Sequence, residues 1–319
     1  MNLVRDKVEV LSCKDIYQED GRRSLFDLLS KYLELENFGW QAEIIATQAD
    51  GLPIFAFKTP LKKNHPVKSL WILGGVHGEE PAGPNAFYSQ LEIIKEIGKH
   101  GIPIVFIPLM NPSGYYRDWR YENEKRDFHK GLSVTDFEPL LLNEIKKSSR
   151  SNTFSSQTAS QISGWVKDTV GIYQPELVFD HHEDRVPKKF PKGDPRNITS
   201  CYVYSYGQGE KVLNIAKEIN KIFIESDMPV VKNGTTRFGE KIVDGVVANS
   251  PDGSIDEFLS VSQFFDPKKQ TIKSKHSAQA VFVIETTIPY DDSINLSKRQ
   301  KAHENIIKSY SHFWNMISL

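Results

Sequence analysis

The sequence predicts an α/β fold in which helices cover the faces of a largely parallel β-sheet. Three observations predict it. Short, continuously apolar segments recur along the chain, as in strands that are buried on both faces. Segments with apolar residues at helical spacing lie between them, so strands and helices alternate. Three of the apolar segments lead directly into glycine or ionisable residues, and open α/β sheets place their ligands at such strand ends.

The composition is that of an ordinary globular protein, with 39% hydrophobic and 25% charged residues in a chain of 319. Lys and Arg number 40 and Asp and Glu 41, which gives a formal net charge of −1. A general nucleic-acid binder needs a basic excess, so we expect no nucleic-acid partner. The longest nearly apolar stretch, 101–110, is too short to cross a bilayer, and no apolar segment follows the charged N-terminus. We therefore expect no membrane partner and a cytoplasmic location.

In the N-terminal half, apolar residues at helical spacing predict a helix over 24–35. Two strands follow, joined by the hairpin signal Asp50-Gly51. Pro81 begins a second helix, because proline is well tolerated in a first helical turn. The predicted strands of this half are 41–46, 53–57, 70–73 and 102–109, and the second helix runs from 81 to about 97.

The C-terminal half continues the alternation of strands and helices. A polar loop is predicted over 111–133, and a surface connection rich in Ser, Thr and Gln over 148–163 that runs into a helix. The predicted strands are 177–179, 201–206 and 280–284, and the predicted helices are 138–145, 210–224 and 296–316. No repeat or linker divides the chain, so we expect one domain. The two cysteines, Cys13 and Cys201, are expected to be buried free thiols.

The first candidate functional group is Gly74-Gly75-Val76-His77-Gly78-Glu79-Glu80, which follows the strand at 70–73. His77 and Glu80 stand three residues apart on the predicted turn, so both side chains can point at one ion. Zinc binds imidazole nitrogen and carboxylate oxygen, and catalytic zinc usually keeps three protein ligands and a water. The flanking glycines let the backbone turn tightly after the strand. The same spacing also occurs by chance in solvated loops, so both interpretations stay open.

The second and third candidate groups end two other predicted strands. In Asp180-His181-His182-Glu183-Asp184 the adjacent histidines point to opposite sides of a strand, so at most one is a metal ligand. Glu285 directly follows four apolar residues, and a buried glutamate is rarely left unpaired. It therefore serves either in an ion pair or in a functional role. Because all three groups lie at strand ends, their common position favours a single site.

A fourth group, Asn111-Pro112-Ser113-Gly114, follows the strand predicted at 102–109. Arg120 and Asp127 come next in the chain. Arg120 is either a surface cation or an arginine that polarises a carbonyl group and stabilises an oxyanion.

The order of these groups resembles that of the zinc metallocarboxypeptidases of the carboxypeptidase A type and of their amide-hydrolase relatives, the succinylglutamate desuccinylases and aspartoacylases. The resemblance covers about residues 51 to 287. Each motif alone is weak, but five in the same order form a strong pattern. The matching residues are His77 and Glu80 for HxxE, Asn111-Pro112-Ser113-Gly114 for Asn-Pro-Asp-Gly, Arg120 seven residues before Asp127-Phe128-His129-Lys130 for the arginine and Asp-Leu-Asn-Arg, His182 for the acid-x-His strand end, and Glu285 for the strand ending in glutamate.

The resemblance implies a three-layer α/β/α fold with a mixed, twisted central sheet, a zinc site at the strand carboxyl ends, and a single catalytic domain over residues 1–319. It implies one zinc ion per chain and selects His182 over His181 as a ligand; two histidines and a glutamate are the known ligand set of carboxypeptidase A. The implied roles are zinc binding by His77, Glu80 and His182, oxyanion stabilisation by Arg120, proton transfer from zinc-bound water by Glu285, and acceptance by Asp127 of a hydrogen bond from a ligand histidine.

Two positions depart from the family pattern. The Asn-Arg pair with which the family grips a terminal carboxylate is His129-Lys130 here, and lysine keeps the charge but loses the bidentate fork of arginine. We expect Lys130 and His129 to contact a substrate carboxylate. The family's mobile tyrosine falls on Ala248, seven residues before the isoleucine of Gly253-Ser254-Ile255-Asp256. Strict carboxypeptidase specificity is therefore not implied.

Two hydrolase functions follow from the resemblance. One is release of a C-terminal residue from a peptide, and the other is deacylation of an N-acyl amino acid. The deacylases usually carry an additional C-terminal β-domain, whereas this chain is predicted to end in a helix, which favours the peptidase. A third hypothesis is a metal-free binding module on the same fold, and retention of the three expected ligands, of Arg120 and of Glu285 argues against it. The expected partner is therefore a peptide or N-acyl amino acid substrate.

Overall fold

A mixed β-sheet runs through the computed structural model, which describes residues 20–61, 65–122, 137–185, 190–289 and 293–318. The described strands are β1 (Gln41–Thr47), β2 (Pro53–Lys58), β3 (Val67–Gly74), β4 (Ile104–Ile107), β5 (Leu142–Asn143), β6 (Ser148–Ser149), β7 (Tyr173–Arg185), β8 (Tyr202–Gly207), β9 (Asn233–Thr235), β10 (Lys241–Val243), β11 (Val246–Ala248), β12 (Gln263–Asp266), β13 (Thr271–Ser274) and β14 (Ala280–Ile288). The described helices are α1 (Leu25–Leu33), α2 (Ala82–Ser89), α3 (Leu91–Lys99), α4 (Pro112–Arg117), α5 (Gln157–Thr169), α6 (Glu210–Glu225), α7 (Ile255–Ser260), α8 (Leu296–Lys308) and α9 (Tyr310–Ser318), with a 3₁₀ helix at Glu34–Phe38.

Within the described residues, ten strands are joined in the order β1-β2-β4-β3-β7-β14-β8-β11-β10-β9. The central strands β4, β3, β7 and β14 run parallel to one another. β14 and β8 are antiparallel, as are β2 and β4, so the sheet is mixed. The predicted α/β fold with a mixed central sheet is therefore confirmed.

The two faces of the sheet carry separate apolar layers because side chains alternate along each strand. On β3, Leu70 and Ile72 pack into one layer, whereas Trp71 and Leu73 pack into the other. Helices α1, α2, α3, α6, α8 and α9 cover the first face, and α5 and α7 cover the second. The predicted three layers are therefore present. Complete burial of one such side chain contributes about 1.5–3 kcal/mol to folding.

The carboxyl ends of β3, β7 and β14 meet at one edge of the sheet, which brings the candidate groups together. The Cα register pairs Gly74 with His181 and His182 with Glu285. Alternation puts His182 and Glu285 on the face covered by α5 and α7, and it puts His181 on the opposite face. Residues from distant parts of the sequence thus become neighbours through strand register alone.

Two glycines let the chain after β3 pass through a crowded turn. Gly75 has a φ of +62°, a left-handed conformation that favours glycine. A Cβ on Gly78 would lie 2.0 Å from the carbonyl carbon of Gly114 in α4, so the two backbones touch directly. The loop that carries His77 is therefore held against α4.

Some predicted elements are wrong in extent or in type. Residues 138–145 form turns and the short β5 instead of a helix, because the Asn143 side chain accepts hydrogen bonds from the N–H groups of Ile145 and Lys146 at 3.2 and 3.0 Å. The helices predicted over 81–97 and 296–316 are each divided in two, at Gln90 and Ser309. The predicted loop 111–133 begins with α4, and its residues from 123 onward lie outside the described part of the chain.

Two expectations from composition concern membranes and cysteines. Among the described helices, none combines the length and the apolar character that a bilayer crossing requires. Cys201 is a buried free thiol, as predicted, and burial raises its pKa to about 12. Cys13 lies outside the described residues.

Two helical glycines predict opposite effects of the same substitution. A Cβ at Gly164 in α5 meets no atom within 4 Å, so Gly164→Ala should raise the free energy of unfolding by about 0.5–1 kcal/mol. A Cβ at Gly83 in α2 would lie 2.8 Å from the Cβ of His181, so Gly83→Ala should lower it by about 1–3 kcal/mol. Urea unfolding measures both changes. A Gly83→Ala variant as stable as the wild type would contradict the close packing of α2 on β7.

Candidate metal centre and catalytic cavity

Three side chains at the strand ends converge on a common point. Nδ1 of His77 lies 2.8 Å from Oε1 of Glu80, and Nδ1 of His182 lies 3.0 Å from Oε2 of Glu80. The two Nδ1 atoms are 3.2 Å apart. Ligands at 2.0–2.1 Å from a tetrahedral ion are separated by about 3.3 Å, so this donor set has the spacing that zinc requires. The two imidazoles and the carboxylate fit a zinc ion.

The charge states of these groups follow from their burial and from one another. Burial raises the pKa of Glu80, but His77 and His182 outweigh it and hold that pKa well below its usual range. Burial and the nearby Arg120 lower the pKa of His77 to about 3. Burial lowers the pKa of His182, but Asp180 and Glu80 raise it more, so the net pKa is well above its usual value. The raised pKa means that protons compete with a metal ion for His182.

A buried clamp fixes the loop after β3 against β7. Oε2 of Glu80 accepts a hydrogen bond from the N–H of Glu183 at 3.1 Å. The Glu183 side chain in turn accepts one from the N–H of Ala82 at 2.7 Å, at the start of α2, and pairs with Arg299 of α8. Because Glu183 and Arg299 are both buried, removing either partner would leave a charge unpaired. The clamp thus joins the loop, strand β7 and helix α8.

Asp180 is a site residue to which we assigned no role from the sequence. Its Oδ2 lies 3.2 Å from Nε2 of His182, on the side of the ring away from Glu80, and its side chain is completely buried. The contact is an ion pair, and neither Asp180 oxygen makes a hydrogen bond to a described residue; a carboxylate in this position can orient the ring of a metal-binding histidine. Spacing of two residues along a strand is the signal that places both side chains on one face. Asp127, which the resemblance assigned a similar role, lies outside the described residues.

Arg120 lies beside the metal-binding group and is buried. Its Nη1 donates to Oε1 of Glu80 at 2.9 Å and is 3.3 Å from Oε1 of Glu79. Its main-chain carbonyl accepts hydrogen bonds from the N–H of Gly78 at 3.2 Å and from Nδ2 of Asn111 at 3.1 Å. Burial lowers the pKa of Arg120, but Glu80 and other neighbours raise it further, so the guanidinium stays charged. Its Nε makes no hydrogen bond to any described residue.

Glu285 faces the same cavity from β14. Its Cα is paired in register with that of His182, and its carboxylate makes no hydrogen bond within the described part of the chain. Burial raises its pKa well above the usual value, and the nearby Glu80 and Asp184 act in the same direction, while His182 opposes them. A carboxyl group with a raised pKa is suited to accept and return a proton.

The cavity beside these groups has a volume of about 640 Å³. Besides His77, Arg120, His182 and Glu285, its wall includes Glu240, Asp252 and Asp256. Asp256 is buried, and its Oδ1 has no hydrogen-bond partner among the described residues; burial raises its pKa well above the usual value, with Asp180 adding to the effect. A larger cavity of about 970 Å³ lies near Trp40 and Ile102 and includes none of the candidate site residues.

The remaining candidate residues lie apart from this cavity or outside the described residues. His181 points to the opposite face of the sheet, where its Nδ1 is 2.7 Å from Nδ1 of His303. Ala248 is exposed on β11. His129 and Lys130 lie outside the described residues, so their contact with a substrate stays a prediction.

Comparison with known proteins identifies the fold. No protein-family model matches the chain, and no curated protein sequence matches it significantly. Solved structures do match. A candidate metallopeptidase from Shewanella amazonensis superposes with a TM-score of 0.63 over 92% of this chain and 92% of its own, at 20% identity. A candidate metallopeptidase from Shewanella baltica superposes with a TM-score of 0.63 over 91% of this chain and 92% of its own, at 18% identity. Carboxypeptidase A from Helicoverpa armigera superposes with a TM-score of 0.56 over 99% of this chain and 80% of its own, at 12% identity. The chain therefore has the fold of the metallopeptidases of the carboxypeptidase A type.

The two adjacent histidines of β7 allow a direct test of the ligand set. His182→Ala should lose most of the bound zinc, because two protein ligands remain instead of three. His181→Ala should keep one zinc per chain at saturating zinc, because its ring lies on the other face of the sheet. Atomic emission after gel filtration measures the zinc content. The reverse result would make His181 the ligand.

Proposed function

We propose that this protein is a zinc-dependent hydrolase that cleaves a peptide or amide bond, with a peptide as substrate. The observation that carries the proposal is that one cavity brings together three side chains that could hold a metal ion, a charged Arg120, and a Glu285 whose carboxylate has no hydrogen-bond partner among the described residues. The fold shared with metallopeptidases supports it. A metal-free binding module would not need this combination of groups.

Glu285 transfers the proton in the proposed reaction. His77, Glu80 and His182 would hold zinc, which would supply a Lewis acid for the scissile carbonyl and lower the pKa of a bound water towards about 7. Glu285 takes a proton from the attacking water onto its carboxylate and then delivers it to the leaving amine. Its raised pKa supports both steps, since the group can hold the proton between them.

Arg120 stabilises the negative charge that develops on the carbonyl oxygen. Its guanidinium is held beside Glu80 before substrate arrives, and its main chain is fixed by Gly78 and Asn111. A donor fixed in advance in a site that excludes water loses little energy to reorganisation. The Nε group, which has no partner among the described residues, offers a further N–H to the substrate.

The charge of the cavity favours a peptide over an N-acyl amino acid with an acidic acyl group. Glu240, Asp252 and Asp256 line the wall, and Arg120 is the one Lys or Arg among the described residues of that wall. A succinyl or similar acyl group would add a second carboxylate, besides the terminal one, to a cavity that is already lined by acidic side chains. The deacylase is therefore the second candidate, and a peptidase is our conclusion.

A substrate screen tests the proposed function. The zinc-loaded protein is incubated with short peptides that have free C-termini and, in parallel, with N-succinyl and N-acetyl amino acids. Mass spectrometry identifies the products. We expect release of the C-terminal residue from peptides. Cleavage of the acyl amino acids alone would establish the deacylase, and no cleavage of either series by protein carrying one zinc per chain would overturn the proposal.

Replacement of Glu285 tests the general base. Glu285→Gln should keep the fold and one zinc per chain but lower kcat by about 10²–10⁴, because the amide cannot accept the proton. Steady-state kinetics on the best substrate of the screen measure the loss. Turnover close to that of the wild type would rule out Glu285 as the base.

Replacement of Lys130 tests recognition of the substrate carboxylate. Lys130→Ala should lower kcat/KM about tenfold or more for a peptide with a free C-terminus, because a charged hydrogen bond is lost. The amidated peptide should be affected much less. Lys99→Ala at the exposed end of α3 provides the control. If Lys130→Ala leaves the ratio between the free acid and the amide unchanged, another cation binds the carboxylate.

A further inference from the structure

A chain of four buried polar side chains lies behind the site, on the helical face of the sheet. The ring of His181 contacts the hydroxyl of Tyr310 through Nε2 and Nδ1 of His303 through its own Nδ1, the latter at 2.7 Å. Nε2 of His303 lies 3.0 Å from Oγ1 of Thr286. All four side chains are buried, with exposures of 0–1%. The side chains around the four groups are mainly apolar, so a chain of hydrogen-bonding groups is unusual at this place in the fold.

The four groups satisfy one another completely at the two rings. If the Tyr310 hydroxyl donates to Nε2 of His181, then Nδ1–H of His181 donates to His303, and Nε2–H of His303 donates to Thr286. Each neutral imidazole then donates once and accepts once. Both rings are buried in a largely apolar layer, and a neutral imidazole suits such surroundings. A buried network in which every ring nitrogen is paired holds its members in one orientation.

The network touches the two strands that carry the reacting groups. His181 directly precedes the ligand His182 on β7, and Thr286 directly follows Glu285 on β14. Because side chains alternate along a strand, the network holds each strand from one face while the site residue projects from the other. The bridge between the strands is His303 of α8, and Tyr310 of α9 closes it at the far end.

We propose that Tyr310, His181, His303 and Thr286 form a positioning network that sets the orientation of His182 and Glu285 through β7 and β14. An apolar contact would also fill this space, but it would not fix the orientation of the strands against the helices through directional hydrogen bonds. Displacement of a catalytic group by about 1 Å can reduce the rate by about 10². The network is therefore part of the machinery of the site, although none of its members reaches the substrate.

Two conservative variants separate positioning from simple stability. Tyr310→Phe removes the hydroxyl at the His181 end, and Thr286→Val removes the hydroxyl at the Glu285 end. Tyr32→Phe is the matched control, because Tyr32 is buried in the same helical layer and its hydroxyl donates one hydrogen bond, to the carbonyl of Pro84 at 2.7 Å. Tyr32 contacts neither β7 nor β14 through that bond. All three variants should lose some thermal stability.

The readouts are the visible spectrum of the Co²⁺-substituted protein, the dissociation constant for zinc and the steady-state kinetics. Tyr310→Phe should shift the Co²⁺ d–d bands and weaken zinc binding about tenfold, as loss of a group supporting a ligand histidine does. Thr286→Val should keep zinc affinity and KM but lower kcat about tenfold. Tyr32→Phe should leave spectrum, affinity and kcat as in the wild type.

The metal readouts keep this inference distinct from the proposed function, on which its kinetic arm rests. Zinc binding without hydrolysis by the wild type would overturn the proposed function, and the Co²⁺ spectra would still decide the network. If Tyr310→Phe and Thr286→Val lower the melting temperature as Tyr32→Phe does and leave spectrum, zinc affinity and kcat unchanged, the network is structural only and the proposal is overturned. A wild type that binds neither ion overturns both.

Discussion

The buried carboxylate of Glu80 is contacted by four groups, and the geometry of the site depends on it. Oε1 meets His77 at 2.8 Å and Arg120 at 2.9 Å, while Oε2 meets His182 at 3.0 Å and the main-chain N–H of Glu183 at 3.1 Å. These partners come from the loop after β3, the segment after α4, and β7. Strand register places the loop after β3 close to β7, and the Glu80 carboxylate then links both of them to the segment after α4. Its charge is secured by two histidines that outweigh the cost of burial.

Much of this arrangement could be predicted from local patterns. The alternation of side chains along a strand separated His181 from His182, and the apolar run before Glu285 marked a buried strand end. The Glu183–Arg299 pair could not be predicted, because its partners are more than 100 residues apart in the sequence. The role of Asp180 could not be predicted, because it depends on the orientation of the His182 ring, which the alternation of side chains along a strand does not determine. Strands of three residues, such as β9, β10 and β11, are too short to show any period. The helix predicted at 138–145 was wrong because the Asn143 side chain accepts hydrogen bonds from two main-chain N–H groups and so stabilises a turn.

Negative charge around the cavity exceeds positive charge. A carboxylate oxygen of Asp180, one of Asp256 and a ring nitrogen of His182 all lie within 4.8 Å of one another. Glu285 lines the same cavity. Burial of an uncompensated carboxylate is costly in free energy, and this cost raises the pKa of Asp256 and Glu285. A divalent cation at the neighbouring donors would offset part of this excess. The same field that discourages acidic acyl groups thus favours a bound divalent cation.

The distances along the sequence between the site residues have a consequence for how the molecule assembles. His77 and His182 are 105 residues apart, and the clamp between Glu183 and Arg299 spans 116. Contacts of such long range form late in folding, because loop closure must precede them. On a ribosome, the pair of imidazoles cannot meet until β7 has emerged, and the clamp must wait for α8. A metal ion held by these side chains would therefore enter a nearly finished protein and would not direct its folding, unlike the ion of a small zinc-dependent domain.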